Sequence, residues 1–411
     1  MAPSSPVTGT AWADPSAAEI SALVAATRRE GWRSALAQFS STAPFFVHRM
    51  KNLGLGNWHL LLQRDRSDRS LDVGSGFGSL PLGLSQYYRN AIGTEFLPER
   101  VAFSTLRARE EGRTGCRFVR SSGFALPFGS GTFGLVTMNG VLEWAGLYQQ
   151  GNPRRLQIRM LHEAQRVLRP GGHVAVAIEN RFALESLLGL PDTHTGLIGV
   201  TALPRWAANA LMRVRKREPY RTYLYNPEGY RRLFLDSGFQ RVRVFDLVSS
   251  YNDYDYVLDT QDTVSYRFLF QQNRVRPFFG LAGRTRKLVG RAWPGLLGEL
   301  SYAYLVIGGQ SVRTILDADH ELWRLIASTG ADPGKYRFAC QGVEAGQLAV
   351  VSHDGERVSG MVELNARSEE PSTQPSVLPP RVNSAIAAGL RRAGTIESHG
   401  LKIRVHRRQD S

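Results

Sequence analysis

The chain has 411 residues, of which 42% are hydrophobic and 21% charged, and its formal net charge is +15 at pH 7. This composition excludes a predominantly disordered chain, and the length exceeds one typical domain, so two or three units are expected. Such a positive field attracts anionic partners such as nucleic acid, lipid head groups or phosphorylated substrates. The basic residues are nevertheless spread through most segments, and scattered arginines on solvated faces need no ligand.

Cysteine usage and the N-terminus narrow the class of protein. Cys116 and Cys340 are the only cysteines, and neither has a Cys or His neighbour at metal-ligand spacing. Neither a disulfide framework nor a metal site is therefore predicted, and the expected compartment is reducing. Residues 1–18 lack a basic start followed by an apolar core, and no run of eighteen apolar residues occurs, so secretion and membrane spanning are not expected. The predicted location is cytoplasmic.

The first predicted element is a helical cover within residues 1–57. Ile20, Leu23 and Val24 have helical spacing behind a cap at Ser16, and further apolar positions follow. A short apolar helix then leads into the first strand.

From residue 71 onward, apolar strands and amphipathic helices alternate. The predicted strands are 71–73, 91–95, 116–120, 133–139, 173–179, 241–248 and 301–307, and the helices between them are 80–88, 98–111, 153–168 and 227–237. This alternation predicts an α/β fold: a doubly wound, Rossmann-like, seven-stranded and mostly parallel sheet with helices on both faces. The ligand is expected outside the carboxyl ends of the strands.

The most informative motif is Leu-Asp-Val-Gly-Ser-Gly-Phe-Gly at residues 71–78. Three alternating glycines allow a tight turn and let backbone N–H groups approach a ligand closely. Glu95 follows after about twenty residues, at the end of the second predicted strand, where a carboxylate can accept hydrogen bonds from ribose hydroxyls. Nicotinamide enzymes share this geometry, but their fingerprint requires a glycine at position 79, where Ser79 stands.

Two further segments complete the pattern. Residues 125–133 read Ala-Leu-Pro-Phe-Gly-Ser-Gly-Thr-Phe before an apolar strand, and residues 166–172 read Arg-Val-Leu-Arg-Pro-Gly-Gly before another. Together with the glycine motif and Glu95, these segments stand in the order and spacing of the class I S-adenosylmethionine-dependent methyltransferases. The chain resembles that family, and in particular its type 11 members, over residues 58–250. The resemblance implies S-adenosylmethionine as the cofactor and methyl transfer as the activity.

The resemblance also implies which residues bind the cofactor. The aspartate and glycines of the motif would contact the methionine portion, Glu95 would bind the ribose, and Phe96 and Phe124 would cover the two faces of the adenine. The full set of implied cofactor residues is Asp72, Gly74, Gly76, Gly78, Glu95, Phe96, Ser122, Phe124 and Asn139.

Three positions depart from the family pattern. Ser122 stands where an aspartate often bonds the adenine amine, and Gly134 stands where another acid is common. Trp144 replaces a histidine near the acceptor, which removes a base and adds an aromatic wall. These departures bear on the acceptor chemistry more than on cofactor binding.

Beyond residue 179 the family pattern is stretched by two insertions, 180–225 and 251–300. Long segments between core elements are usually lids or binding surfaces, so both are expected to enclose the acceptor. The methyltransferase domain is therefore predicted over 58–310. Residues 311–411 are predicted to be a C-terminal α+β appendage of unknown role, with strands at 348–351 and 357–363, a short helix around Leu322 and a Pro/Ser-rich stretch at 368–380.

His194 and Glu143 are the predicted catalytic residues. A hydroxyl acceptor must lose its proton as the new bond forms, and an amine must be neutral before it attacks, so a general base is expected. His194 lies in a Gly-flanked loop with Asp192 two residues away, which could raise its basicity. Glu143 follows the fourth strand and could contact the acceptor or the sulfonium. The structural alternatives are a packing or capping role for His194 and a helix-start acid at Glu143.

Three other segments suggest partners. Residues 251–256 alternate tyrosines with amide and carboxylate groups, which suits either a sugar or an aromatic lid edge. Residues 179–196 are loosely similar to methyltransferases associated with cell-surface glycan assembly. Residues 203–217 form a basic amphipathic helix that either contacts an anionic membrane or, as is commoner, packs its apolar stripe on the domain. The stripe consists of Leu203, Trp206, Ala207, Ala210, Leu211 and Val214.

The sequence thus predicts an S-adenosylmethionine-dependent methyltransferase that acts on a small-molecule or glycan-linked acceptor, at an oxygen atom. One alternative is RNA methylation driven by the basic surface, although recognisable RNA-binding motifs are lacking and nucleic acid is not the expected partner. Another alternative is a scaffold that binds the cofactor without transferring the methyl group.

Overall fold

The computed structural model describes residues 15–62, 68–254, 256–261, 266 and 280–312, together with six short strands between residues 325 and 404. The helices within these residues are α1 Ala17–Glu30, α2 Trp32–Ala37, α3 Pro44–Lys51, α4 Ser79–Leu84, α5 Pro98–Glu110, α6 Ala145–Tyr148, α7 Pro153–Val167, α8 Leu184–Leu187, α9 Arg205–Lys216, α10 Pro227–Asp236, α11 Gly280–Ala292 and α12 Pro294–Leu300. Two 3-10 helices span Leu53–Leu61 and Leu142–Trp144.

The described residues form fourteen strands, which are numbered here in chain order. They are β1 Arg69–Val73, β2 Asn90–Glu95, β3 Cys116–Arg120, β4 Phe133–Asn139, β5 Leu168–Glu179, β6 Arg241–Val248, β7 Tyr256–Asp259, β8 Ala303–Gly309, β9 Leu325–Ser328, β10 Tyr336–Ala339, β11 Gln347–His353, β12 Val358–Leu364, β13 Thr395–Ser398 and β14 Leu401–Arg404.

The N-terminal segment folds as the predicted helices. Ser16 caps α1 in a reciprocal capping box, because its hydroxyl accepts from the Glu19 N–H while the Glu19 carboxylate accepts from the Ser16 N–H. Gly31, at φ 82°, ends α1 and begins α2. The apolar faces of these helices pack on Phe77, just before α4, and on Phe103 of α5, so they cover the helical layer outside the sheet.

The order of the strands in the sheet confirms the predicted Rossmann-like α/β fold. The order is β13-β14-β12-β11-β10-β9-β7-β6-β8-β5-β4-β1-β2-β3. Strands β3, β2, β1, β4 and β5 are parallel, and β8 lies antiparallel between β5 and β6. All seven predicted strands are therefore present.

The predicted number of strands is wrong, because the sheet has fourteen strands among the described residues. Strand β7 pairs antiparallel with β6, and β9 pairs with β7, so the C-terminal strands extend an edge that was expected to be open. An open edge offers unpaired N–H and C=O groups to any strand that can reach it. The predicted strands at 348–351 and 357–363 correspond to β11 and β12. The predicted helix around Leu322 and the Pro/Ser-rich stretch lie outside the described residues.

Helices cover both faces of the parallel strands, as predicted. Helices α7 and α10 pack with Val136, Val174 and Val176 in one buried core, whereas α4 and α5 pack with Cys116 in another. This arrangement leaves the carboxyl ends of β1, β2, β4 and β5 at one edge of the sheet. Ligands of this fold bind at that edge.

Helix α9 packs on the domain with only part of the predicted apolar stripe, which includes Leu203 and Leu211. Ala208 and Met212 are buried, whereas Trp206 is 76% exposed and Val214 is 79% exposed. The predicted packing of the stripe is therefore confirmed for Leu203 and Leu211 and wrong for Trp206 and Val214. The smaller Ala208 side chain allows close approach at the buried face, and the tryptophan remains in solvent.

A buried ionic network ties the second insertion to the core. Arg286, on α11, donates to Glu185 (3.3 Å) and to the Ser301 hydroxyl (2.8 Å), and its Nη2 lies 3.8 Å from Asp246 on β6. Tyr266 donates to Asp246 (3.0 Å). All of these side chains are buried, and burial raises the pKa of Asp246 to about 6.

Loss of the guanidinium from this network is expected to destabilise the fold strongly. Arg286→Met would leave two carboxylates buried without their cation, which typically costs about 3–5 kcal/mol. The matched control is Arg284→Met on the exposed side of the same helix, which is expected to change stability by less than about 0.5 kcal/mol. Urea unfolding followed by tryptophan fluorescence measures both variants. Equal midpoints for the two would contradict a stabilising role of the network.

Candidate active site

The glycine motif forms a turn between β1 and α4. The N–H groups of Gly74 and Ser75 both donate to the Thr94 carbonyl (2.8 Å each), which ties the turn to β2. Gly74, Gly76 and Gly78 all have positive φ angles, of 73°, 54° and 83°. A Cβ on Gly74 would lie 2.6 Å from the Val141 side chain, whereas a Cβ on Gly76 would have no described atom within 4 Å. Gly76 therefore faces open space.

Glu95 ends β2 with its carboxylate turned towards this turn. It accepts from the N–H groups of Gly76 (3.0 Å), Phe96 (2.7 Å) and Leu97 (3.1 Å). These bonds hold the carboxylate at the carboxyl end of the sheet. A carboxylate has about four lone-pair positions, so it retains capacity for a ligand hydroxyl.

Asp72 lies at the end of β1 and is buried. Thr137, on the neighbouring β4, donates to its Oδ1 (2.7 Å). Burial raises the pKa of Asp72 to about 7, and the nearby charge of Glu95 adds to the increase. A cationic ligand group beside Asp72 would favour its ionised form.

The residues predicted around the adenine lie on the loops that follow β2, β3 and β4. Phe96 is 52% exposed, and its ring lies 6.0 Å from that of Tyr148, a residue that was not predicted. Phe124 is half-buried against the core, and its N–H donates to the Ser122 hydroxyl (3.3 Å). Asn139 ends β4, and its buried Oδ1 has no hydrogen-bond partner among the described residues. Such an orphaned acceptor is suited to a ligand donor.

Four acidic and basic side chains form a second, buried cluster, which we call the histidine cluster. His194 Nδ1 lies 3.1 Å from Asp192 Oδ1, and His194 Nε2 lies 3.7 Å from Glu143 and 3.8 Å from Glu179. The Thr195 N–H and hydroxyl hold the other Asp192 oxygen, at 2.8 and 2.6 Å. Asp192 therefore orients the imidazole so that Nε2 points towards the two glutamates.

The electrostatics of the histidine cluster favour a bound proton. Burial alone would lower the pKa of His194, but the charges of Glu179 and Asp192 raise it well above 6.5. Burial raises the pKa of Glu179 to about 7; the His194 charge opposes this increase and Glu143 adds to it. Neither oxygen of Glu143 has a hydrogen-bond partner in the described part of the chain. Glu143 is thus a buried carboxylate that can accept a proton.

Three donor atoms of this cluster could also hold a divalent cation. Those of Glu143, Glu179 and His194 all lie within 4.8 Å of one another. The sequence did not predict this donor set. The protonated His194 imidazole already supplies the positive charge that these carboxylates require, so we interpret the cluster as a site of proton transfer.

Two aromatic residues border the histidine cluster. The Trp144 ring lies edge-on to His194, with the ring centroids 5.0 Å apart, so it forms the predicted aromatic wall. Tyr251 donates to Glu179 Oε1 (3.1 Å), and a Cβ on Gly140 would lie 2.8 Å from the Tyr251 hydroxyl. Tyr254, in contrast, is buried against the first 3-10 helix and donates to the Gly54 carbonyl (3.3 Å). Its role is therefore structural.

Comparison with known proteins identifies the segment that carries the glycine motif. Residues 71–176 match the family model described as a methyltransferase domain. The chain contains a methyltransferase domain. Over these residues the match agrees with the predicted methyltransferase resemblance.

The relatives of the methyltransferase domain are distant. A stretch of 69 residues is 33% identical to YcgJ of Bacillus subtilis strain 168, named an uncharacterized methyltransferase; it covers 17% of this chain and 27% of that protein. The YcgJ crystal structure superposes with a TM-score of 0.36 at 17% identity, covering 62% of this chain and 97% of that one. A SAM-dependent methyltransferase from Thermotoga maritima superposes with a TM-score of 0.37 at 14% identity, covering 70% of this chain and all of that one.

The structure brings the predicted residues of the methyltransferase domain together in two groups. Asp72, the glycine turn and Glu95 meet at one sheet edge. Glu143 and His194 meet in the histidine cluster. Sequence reasoning missed Glu179 and Tyr148 as site residues. Glu179 ends a predicted strand at the carboxyl edge of the sheet, where ligands of this fold bind. This position could have identified it as a site residue.

A methyl group on Gly76 is expected to impair cofactor binding specifically. Gly76→Ala places a Cβ in the open space that the turn presents to its ligand, and the positive φ adds about 1–2 kcal/mol of strain. Gly112→Ala is the matched control, because Gly112 also has a positive φ (66°) and no described atom within 4 Å of the new Cβ. Both variants should lose similar stability, whereas only Gly76→Ala should weaken S-adenosylmethionine binding in calorimetry. Equal affinities would contradict the assigned cofactor contact.

Proposed function

We propose that this chain transfers a methyl group from S-adenosylmethionine to a hydroxyl oxygen of a small-molecule acceptor. The observation that carries the proposal is Glu143, a buried carboxylate with no hydrogen-bond partner among the described residues, beside a histidine oriented by Asp192. A buried carboxylate without a hydrogen bond is costly, and the hydroxyl of an acceptor would supply the missing donor. Glu143 lies just beyond β4, at the carboxyl edge of the sheet, where this fold binds its ligands.

The proposed cofactor-binding residues all lie at the carboxyl edge of the sheet. We assign Asp72 and the glycine turn to the methionine portion, Glu95 to the ribose hydroxyls, and Phe96, Ser122, Phe124 and Asn139 to the adenine side. The orphaned Asn139 oxygen, the open side of Gly76 and the remaining lone pairs of Glu95 fit such a ligand. S-adenosylmethionine supplies an electrophilic methyl group on a positively charged sulfur.

The catalytic roles follow from the charges of the histidine cluster. Glu143 accepts the proton of the acceptor hydroxyl, and protonated His194 stabilises the carboxylates around it. Asp192 holds the imidazole, and Trp144 excludes water from one side. Positioning of the acceptor against the methyl group supplies most of the remaining rate enhancement, because an in-line displacement depends on near-attack geometry.

The proposal is tested by methyl transfer from labelled S-adenosylmethionine to panels of sugars, phosphorylated sugars and glycan-linked acceptors, with RNA as a separate arm. The proposal is supported if a hydroxyl compound is methylated and this methylation continues in the presence of a chelator. Transfer that occurs only to RNA and weakens steeply with salt would support the alternative of RNA methylation. Cofactor binding without turnover in a cell extract would indicate a scaffold.

The rate is expected to rise with pH through about 7. The ionised form of Glu179 is the one that stabilises protonated His194, and its folded-state pKa is raised to about 7. Below that value the carboxylate is protonated and the histidine cluster loses a negative charge. Rates in wild type and Glu179→Gln across pH 5.5 to 8.5 check this, since the variant lacks this ionisation. Identical profiles would exclude Glu179 as the titrating group.

Location and surface contacts are a further part of the proposal. No helix in the described residues is long and apolar enough to cross a membrane. We propose a cytoplasmic protein whose helix α9 contacts an anionic membrane from one side, supported by the exposed Trp206 and Val214 beside Arg213 and Lys216. Sedimentation with phosphatidylglycerol vesicles, compared for wild type and Trp206→Ala, tests this contact. Equal sedimentation of the two proteins would reject it.

A further inference from the structure

Two arginines of the first insertion lie together without a carboxylate. Arg181 donates to the carbonyls of Thr201 (2.9 Å) and Leu203 (2.8 Å), and Arg205, the first residue of α9, donates to the carbonyl of Leu224. The pKa of Arg181 is lowered mainly by burial. The charge of Arg205 lowers it further, which indicates that the two guanidinium groups are close enough to repel each other. Within the part of the chain that the structure describes, neither forms an ion pair with a carboxylate.

Buried donors without partners surround this arginine pair. Arg205 Nη1 and the Thr201 hydroxyl have no hydrogen-bond partner among the residues described. The buried hydroxyls of Tyr220 and Thr222 likewise have no hydrogen-bond partner there. An unsatisfied buried donor costs about 1–3 kcal/mol, so a set of them is readily explained by a ligand that satisfies them.

Aromatic packing positions Arg205 but does not neutralise it. Its guanidinium carbon lies 4.1 Å from the ring centroid of Tyr223 and 5.5 Å from those of Tyr220 and Tyr225. Ring faces stabilise a cation above them, yet they carry no net charge and leave the in-plane N–H groups free. The positive charge and the Nη1 donors therefore remain available to an anion.

One recess lies between the arginine pair and the histidine cluster. Thr201 and Leu224 line it together with Glu179 and Asp192. The carbonyls of Thr201 and Leu224 accept hydrogen bonds from Arg181 and Arg205, so the arginine pair lies directly behind these two lining residues. Glu179 and Asp192 belong to the histidine cluster. An acceptor in the recess would therefore lie between the arginine pair and the histidine cluster.

We propose that Arg181, Thr201, Arg205, Tyr220 and Thr222 form a subsite for the phosphate group of a small phosphorylated acceptor. The Nη1 group of Arg205 and the hydroxyls supply donors for phosphate oxygens, and the two guanidinium groups supply positive charge. Phosphate is favoured over a carboxylate because its three terminal oxygens can use donors from more of these side chains. The identification of this ligand as the methyl acceptor rests on the proposed function, whereas phosphate binding itself does not.

Calorimetry on the full chain, without cofactor, tests the subsite with inorganic phosphate and with acetate as the carboxylate probe. Arg205→Gln is expected to weaken phosphate binding at least about tenfold, because it removes charge-assisted hydrogen bonds. The matched control, Arg215→Gln, removes the same charge from an exposed position on the same helix and should leave the affinity unchanged. Thr222→Val keeps the side-chain shape, removes one hydroxyl and is expected to weaken binding less than Arg205→Gln does.

Three results would overturn the subsite: no phosphate binding by wild type at millimolar concentration, equal losses in the two arginine variants, or tighter binding of acetate than of phosphate. If Arg205→Gln fails to fold, Arg205→Lys and Thr222→Val decide, because both are expected to weaken binding. S-adenosylmethionine affinity should stay at the wild-type value in all of these variants. A wild-type protein that binds phosphate but not S-adenosylmethionine would refute the proposed function and leave the subsite standing.

Discussion

Glu143→Gln is expected to lower kcat for methyl transfer by about 10²–10⁴-fold, the usual contribution of a general base. The substitution keeps the size of the buried side chain but removes its proton-accepting carboxylate. Because Glu143 lies in the histidine cluster and not at the glycine turn, the affinity for S-adenosylmethionine should remain unchanged. Saturating kinetics with labelled cofactor and calorimetry separate these two effects.

Two further variants control this prediction. Glu228→Gln removes an acid from the exposed surface of α10 and should leave kcat at the wild-type value. Asp192→Asn removes the group that orients His194, so we expect a smaller loss of kcat and a shifted pH profile. An unchanged kcat in Glu143→Gln would refute its role as the proton acceptor. A loss of cofactor affinity in that variant would instead place Glu143 against the sulfonium.

Glu95→Ala is expected to weaken S-adenosylmethionine binding by at least about a hundredfold. A hydrogen bond to a charged group is worth about 1.5–3 kcal/mol, and two ribose hydroxyls would lose theirs. The substitution also releases the N–H of Gly76, so the glycine turn loses a tether. Calorimetric titration of the cofactor into wild type and variant measures the change.

Glu95→Gln and Glu99→Ala are the control variants for the loss of S-adenosylmethionine affinity expected in Glu95→Ala. Glu95→Gln keeps an acceptor oxygen in place and should lose less affinity than Glu95→Ala. Glu99 lies in the first turn of α5, four residues further on, and its removal should leave binding intact. If wild type and Glu95→Ala bind equally, Glu95 does not hold the ribose. If Glu99→Ala loses as much as Glu95→Ala, the effect is a general one of charge.

Much of the parallel sheet could be predicted because its strands are short apolar runs between turn residues. Strands β3, β4 and β6 begin and end where the sequence predicts. The cap at Ser16 also forms as predicted, since a capping box depends on residues only three positions apart. The fourteen-stranded extent of the sheet could not be predicted, because strand pairing at an open edge depends on which segments can reach it.

The candidate site likewise contains residues that could be predicted from the sequence and residues that could not. The glycine turn and Glu95 could be predicted because one local βαβ unit positions them. The contact between His194 and Glu143 could not, since helix α7 and strand β5 separate them along the chain. Glu179 has no local motif of its own, and the arginine pair of Arg181 and Arg205 is hidden among many other arginines.

The sequence by itself determined the resemblance to a methyltransferase domain, the order of the core elements and the glycine turn, because short-range backbone geometry and apolar periodicity encode each of them. Only the tertiary structure decided which ionisable side chains share a buried space. Burial and the proximity of like and unlike charges set the protonation of Glu179 and His194, and both depend on contacts between segments that are distant in the chain.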